Sequence, residues 1–171
     1  MSLGLGLLIV RVLFGTAIAA HGAQKLFGWF GGYGLQGTGG FFEGIGFRPG
    51  VAFAAAAGLS EFVGGFLLVL GLFTPLGASA VFTAMIVASV GVHLKNGFFA
   101  QNNGFELAFL YGAVAVGLAL TGAGAYSFDN ELQWTALDVL SIKVGLLVVS
   151  IIVATLTLAL RKQPVQQTTA G

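Results

Sequence analysis

The chain has no cysteine. That absence excludes disulfides, thiolate zinc sites, cysteine-ligated iron–sulfur clusters and thiol redox chemistry carried by the chain itself. Charge is nearly as scarce, at 8% of 171 residues, against roughly a quarter in an average soluble domain. A water-facing surface is not built from so few charges, whereas a lipid-facing one is. The net charge of +1 gives no footing for a nucleic-acid partner. Apolar sequence is abundant instead: 57% of the chain, with mean hydropathy +0.96, alongside 28 glycines. Glycine at this level suits close helix packing in lipid and a glycine-rich loop.

Five apolar segments stand out: Leu3–Ala20, Val51–Phe73, Pro75–Val92, Phe105–Leu120 and Ile142–Leu160. Each approaches the roughly 20 residues that a membrane helix needs. They are continuously apolar and do not alternate, which argues against a barrel. The expected fold is therefore all-α, a multi-pass transmembrane helical bundle. Thr16–Ala23 ends in small residues like a signal-peptide cleavage site, but no basic stretch precedes it and Arg11 interrupts the run. The segment reads as the first membrane helix. Pro75 suits the first turn of the third, and the short link before it predicts an antiparallel hairpin.

Lys25, Arg48, Lys95, Arg161 and Lys162 fall on one side of a five-crossing topology, and only Lys143 falls on the other, near Asp129, Glu131 and Asp138. The positive-inside rule then places the N-terminus outside and the C-terminus in the cytoplasm, across a cell inner membrane. The first connection, His21–Gly50, is rich in glycine and aromatics. It reads equally as a re-entrant segment or as an interfacial loop with a short helix around Gly39–Gly46. Asn130–Leu140 reads as a short interfacial helix leading into the fifth span.

Four stretches make the sequence recognisable: HGAQKLFGWFGGYGLQGTGGFFEGIGF (His21–Phe47), SEFVGGFLLVLGLFTPLGA (Ser60–Ala78), VHLKNGFFAQNNGFELAFLY (Val92–Tyr111) and AYSFD (Ala125–Asp129). With the opening Arg11 to Gly15, they resemble the DoxX family of small bacterial and archaeal membrane proteins, over about Leu7–Asp129. The resemblance implies a four-helix membrane fold. It also implies a link to redox complexes, since some members are described as membrane subunits of thiosulfate:quinone oxidoreductase and others as partners in complexes handling oxidative stress. No catalytic residues come with it, so none is carried over. The chain is then read as a DoxX-like core, residues 1–129, plus an extension, residues 130–171, that holds a fifth C-terminal transmembrane helix.

A charge inside a membrane needs a partner or a role. Arg11 and Glu61 lie near the middle of antiparallel helices at similar depths, which predicts an Arg11–Glu61 ion pair. The two histidines, His21 and His93, end the first and third helices on the same face, near Gln24, Lys25, Asn96, Gln101, Asn102, Asn103 and Glu106. Glu43 would fold over them from the glycine-rich loop. Three readings of this patch stand side by side. The candidate site His21, Gln24, Lys25, His93 and Glu106 offers donors for a quinone ring beside apolar sequence for its tail. Two histidines at one depth also permit haem ligation, the weaker option. The plain alternative is a hydrogen-bonded network that closes the helix ends. No metal site is expected, and no cofactor is expected within the chain other than a quinone.

Gly32-Tyr33-Gly34-Leu35-Gln36-Gly37 matches G-x-G-x-x-G, but a dinucleotide site needs that pattern between a strand and a helix. Ala54 and Gly58, and Ala113, Gly117 and Thr121, recur at four-residue spacing and predict close helix contacts. Three functions follow in order. The first is a membrane subunit linked to the quinone pool. The second is a non-catalytic accessory subunit packed against other subunits of a membrane complex. The third is a small transporter.

Overall fold

A computed structural model describes residues 2–134 and 136–162, and among them every regular element is helical. The elements are α1 (Ser2–Phe27), α2 (Gly34–Gly44), α3 (Gly50–Leu70), α4 (Thr74–Ala88), α5 (Glu106–Thr121), the single turn α6 (Phe128–Glu131) and α7 (Leu140–Ala159). A π turn (Ser89–His93) and a 3₁₀ turn (Leu94–Asn96) prolong α4. With that prolongation, α1, α3, α4 and α7 are long and apolar enough to cross a membrane. At 16 residues α5 is shorter, about 24 Å against a hydrocarbon core of about 30 Å. It nevertheless runs the same course, from the level of His93 to the level of Lys143.

Contacts at the helix ends define two poles. At one, the Asp129 carboxylate accepts from Phe73 N (2.7 Å) and Thr74 N (2.9 Å), and Lys143 Nζ donates to Leu120 O (3.1 Å) and pairs with Asp138 (2.6 Å). This acidic pole gathers the ends of α3 and α5 with the starts of α4 and α7. At the other, Arg161 Nε donates to Ile45 O (2.6 Å) and Gly50 N donates to Glu43 (3.1 Å). This basic pole gathers the ends of α1, α4 and α7 with the starts of α3 and α5.

Glycine sets the spacing of α1 and α3. A Cβ on Gly15 would stand 2.6 Å from Gly65 O, and one on Gly22 2.7 Å from Gly58 O. Only bare backbone allows this approach, and close van der Waals packing is what joins helices in lipid. The core behind it is Ile18, Leu68, Ala78, Val81, Ala115 and their neighbours, from α1, α3, α4 and α5. Outward positions such as Leu13, Phe66 and Leu156 are exposed and apolar, as a lipid-facing wall requires.

Several expectations are corrected. The helix of the first connection is α2, which starts at Gly34 and is longer than the expected Gly39–Gly46. Gly32–Gly37 opens that helix after a 3₁₀ turn, not after a strand. The segment before α7 is one helical turn followed by loop, with Trp134 stacked on Phe73 at 4.2 Å. Ala54 and Gly58 are buried as expected, but Ala113, Gly117 and Thr121 lie on the exposed face of α5. Its packed stripe is Ala108, Gly112, Ala115 and Ala119. Nearly every α5 position is small or apolar, so composition leaves its rotation open and the larger side chains of α4 decide it.

Candidate functional site

The predicted Arg11–Glu61 pair does not form. Arg11 is fully buried and donates to the carbonyls of Leu68 (3.5 Å) and Tyr126. Glu61 forms its ion pair with Lys25. The cause is register. With Gly15 against Gly65 and Gly22 against Gly58, Arg11 comes level with Val69, about 12 Å along α3 from Glu61. Equal depth would need the two helix ends to be flush, yet α1 projects past the end of α3. Its first turns pack on the segment before α6, with Gly4 against Ala125 and Tyr126, and Leu7 against Gly124. Arg11 thus meets the carbonyl-rich end of α3, where a cation is favoured.

The Lys25–Glu61 pair opens onto a cavity of about 770 Å³ at the basic pole. Both residues line it, with Gln24 from the end of α1 and Ser60 from α3. Glu61 is 4% exposed, while the Lys25 side chain retains 26% of its exposure. The carboxylate is therefore held inside the protein by a cation that still reaches toward water. Only Oε2 of Glu61 meets Lys25, and no other hydrogen bond to this carboxylate forms among the described residues. Its second oxygen remains an acceptor.

His93 ends the π turn and lines the same cavity. Its Nδ1 lies 2.9 Å from Asn103 O. A carbonyl only accepts, so Nδ1 carries the proton and Nε2 of the neutral ring is left as an acceptor. Asn96 donates to the same carbonyl at 3.1 Å. Most of the rest of the lining is apolar, including Phe41 and Phe42 on α2, Phe47 on the following loop, Phe53 on α3, Val87 on α4 and Val153 on α7, with the hydroxyls of Tyr33, Thr83 and Thr157 among them. A large apolar chamber with a few convergent polar groups is the usual form of a small-molecule site.

Gln24, Lys25 and His93 are thus brought together, and two other predicted site residues are not. His21 is exposed and faces Tyr111 on α5, with ring centroids 6.0 Å apart. It does not line the chamber that His93 lines. Glu106 accepts from Ala100 N at 2.8 Å and ties down the turn before α5. Glu43 performs the same service at the start of α3. Both carboxylates hold backbone N–H groups that open a helix. The sequence reading missed the Lys25–Glu61 partnership and the α7 wall, Val153 and Thr157. The first was signalled: Gly15 and Gly22 are spaced as Gly58 and Gly65 are, and matching them antiparallel gives the observed register.

Apolar helices of membrane-spanning length, lipid-facing exteriors and buried polar poles define a multi-pass helical membrane protein. The sequence model of the DoxX family matches residues 6–94, just over half of the chain. The protein belongs to the DoxX family. An uncharacterized protein of Haemophilus influenzae is 41% identical over 78 residues, which cover 44% of this chain and 58% of that relative. The chain therefore spans a little over half the length of the curated relative it matches. No solved structure matches.

Proposed function

We propose that this protein is the membrane subunit of a redox complex linked to the quinone pool, of the thiosulfate:quinone oxidoreductase kind, and that it supplies both an anchor and a quinone site. One observation carries the reading: the 770 Å³ chamber, walled by aromatic and aliphatic side chains, with the Lys25–Glu61 pair and His93 at its polar end. A quinone ring presents two carbonyl acceptors when oxidised and two hydroxyl donors when reduced. Lys25 donates to the first form; Glu61 and the His93 Nε2 accept from the second. The phenylalanines suit the ring faces. Electrons reach the site from a cofactor held by a partner subunit. The basic pole faces the cytoplasm, because five Lys and Arg residues gather there, whereas the acidic pole has only Lys143 beside Asp138 and the buried Arg11.

The test is binding of a short-chain naphthoquinone to the purified protein in detergent. Lys25→Ala, Glu61→Gln and His93→Ala should each weaken binding about tenfold or more, the worth of one hydrogen bond to a charged or polar anchor. His21→Ala should leave it unchanged. No binding by the unaltered protein, or equal binding by all variants, would overturn the proposal.

A second reading keeps the membrane complex and drops the site. It is favoured by α7, whose Val149, Ile152 and Leu156 form an exposed apolar face beyond the stretch that matches the family. An accessory subunit packed through that face would hold its place in a complex whose quinone activity survives the Lys25 and His93 substitutions.

A further inference from the structure

The quinone reading makes the chamber's access routes meaningful, and the helix arrangement separates two of them. Helices α3 and α7 both pack on α4 but hardly touch each other. The chamber occupies the gap between them. Its floor is Ala84, Val87 and Ala88 of α4, and its sides include Ala56 on α3 and Val153 on α7. Ala56 and Val153 are exposed, on helix faces that look toward lipid. The gap thus has small or slender residues, Ala56 and Val153, at its outer rim.

Toward water, the seam between α7 and the loop after α2 is stitched shut. Arg161 Nε donates to Ile45 O at 2.6 Å, and Lys162 N donates to Gly46 O at 2.8 Å. The Arg161 guanidinium stands 5.9 Å from the ring centre of Phe47, which is fully buried against the chamber. Gly46 has φ +100°, and a Cβ there would strike the Lys162 carbonyl. A second chamber of about 500 Å³ lies under α2 and shares Gln24, Lys25, Tyr33, Phe41 and Phe42 with the first. The two meet at Lys25, the cation that links Glu61 to the surface.

We propose that the ligand carries a ring head and a long apolar tail, and that it loads sideways from the lipid through the mouth between Ala56 and Val153, while water reaches the same polar end separately beneath α2. A long tail holds its owner in the bilayer by about 0.8 kcal/mol per buried CH₂. The lateral path lets the tail remain in an apolar medium throughout. The α2 path would draw it through water and past Lys25. The inference rests on the quinone reading and adds to it the class of quinone and the side of entry.

The test compares two photoreactive azidonaphthoquinones on protein reconstituted in phospholipid vesicles, one with a long prenyl tail and one without a tail. The initial labelling rate is measured for each. The double variant Ala56→Phe/Val153→Phe narrows the mouth. The ratio of long-tailed to tail-less labelling should fall at least tenfold in it. An unchanged ratio overturns lateral loading while the quinone site stands. A second variant, Arg161→Ala, loosens the seam by α7 and should leave the long-tailed rate as it was. A faster rate there would place entry at the seam and overturn the lateral mouth. Failure of both probes to label the unaltered protein would instead remove the quinone reading itself.

Discussion

The two poles of this bundle bury charge in opposite ways. At the acidic pole, Arg11 spends its guanidinium on the carbonyls of Leu68 and Tyr126, Asp129 caps the two N–H groups that open α4, and Lys143 holds Leu120 O and Asp138. Most of these contacts are to backbone, although Arg11 Nε has no partner and Asp129 and Asp138 border a smaller cavity of about 350 Å³. At the basic pole, Lys25 and Glu61 answer each other beside about 770 Å³ of space. A charge satisfied by backbone is a fastener. A charge pair facing a void is open to a third party. Intramembrane charge alone does not mark function, and what matters is what the charge's remaining valences face.

Substitutions sharpen the contrast, and the largest effect belongs to the scaffold that both poles share. Gly22→Val would drive a branched side chain into the Phe62 and Gly58 backbone. Overpacking of this kind costs about 1–3 kcal/mol where neighbours can yield; here the neighbour is backbone, so no monodisperse protein should be recovered by size-exclusion chromatography in detergent. Arg11→Met comes next. It leaves the Tyr126 carbonyl without its donor, while Leu68 O keeps Gly71 N, and it leaves Asp129 without a nearby cation, a loss of about 3 kcal/mol. Thermal unfolding in detergent should show a clear drop in midpoint, while the protein that remains folded binds quinone normally. Asp129→Ala removes two hydrogen bonds to one helix start, about 2 kcal/mol by the same assay. A loss of quinone binding without a loss of stability in either variant would break the comparison.

The basic pole should behave in reverse. Glu61→Gln releases Lys25, which is partly exposed and finds water, so stability should change by no more than about 1 kcal/mol. Quinone affinity should nevertheless fall about tenfold or more. The smallest effect is expected for His21→Ala, within about 0.5 kcal/mol in unfolding and neutral in binding. If Glu61→Gln unfolds the protein as Arg11→Met does, the pair is a fastener too, and the distinction between the poles fails.

Much of this arrangement was legible in residue order. The apolar runs marked the helices, because lipid tolerates little else across its core, although α1 runs seven residues past the expected end at Ala20 and so carries Gln24 and Lys25 itself. Lys25, Gln24 and His93 were legible as a cluster because they end two helices of the same direction at one pole. The Arg11–Glu61 expectation failed because depth was counted from ends assumed flush, when α1 overshoots α3. His21 was placed at the correct level and the wrong azimuth: it turns toward Tyr111 and away from the chamber. Glu106 was read as a site group, and it serves the turn at Ala100. Level along a membrane helix follows from counting. Azimuth depends on which face meets a neighbour, and nearly all faces here are apolar.

Composition and the order of apolar runs by themselves determined that this chain lies in a bilayer as a helical bundle, with few charges and no thiol chemistry. Backbone hydrogen bonding in hydrocarbon leaves only helices and closed barrels, and the continuously apolar runs exclude the barrel, so no neighbour had to be known. Only the tertiary structure decided which charges meet and where space remains. Pairing Arg11 with Glu61 would need a slide of about 12 Å between two helices that are apolar along most of their length, and it is the glycine-to-glycine contact, a matter of shape between two helices, that selects Lys25 for Glu61.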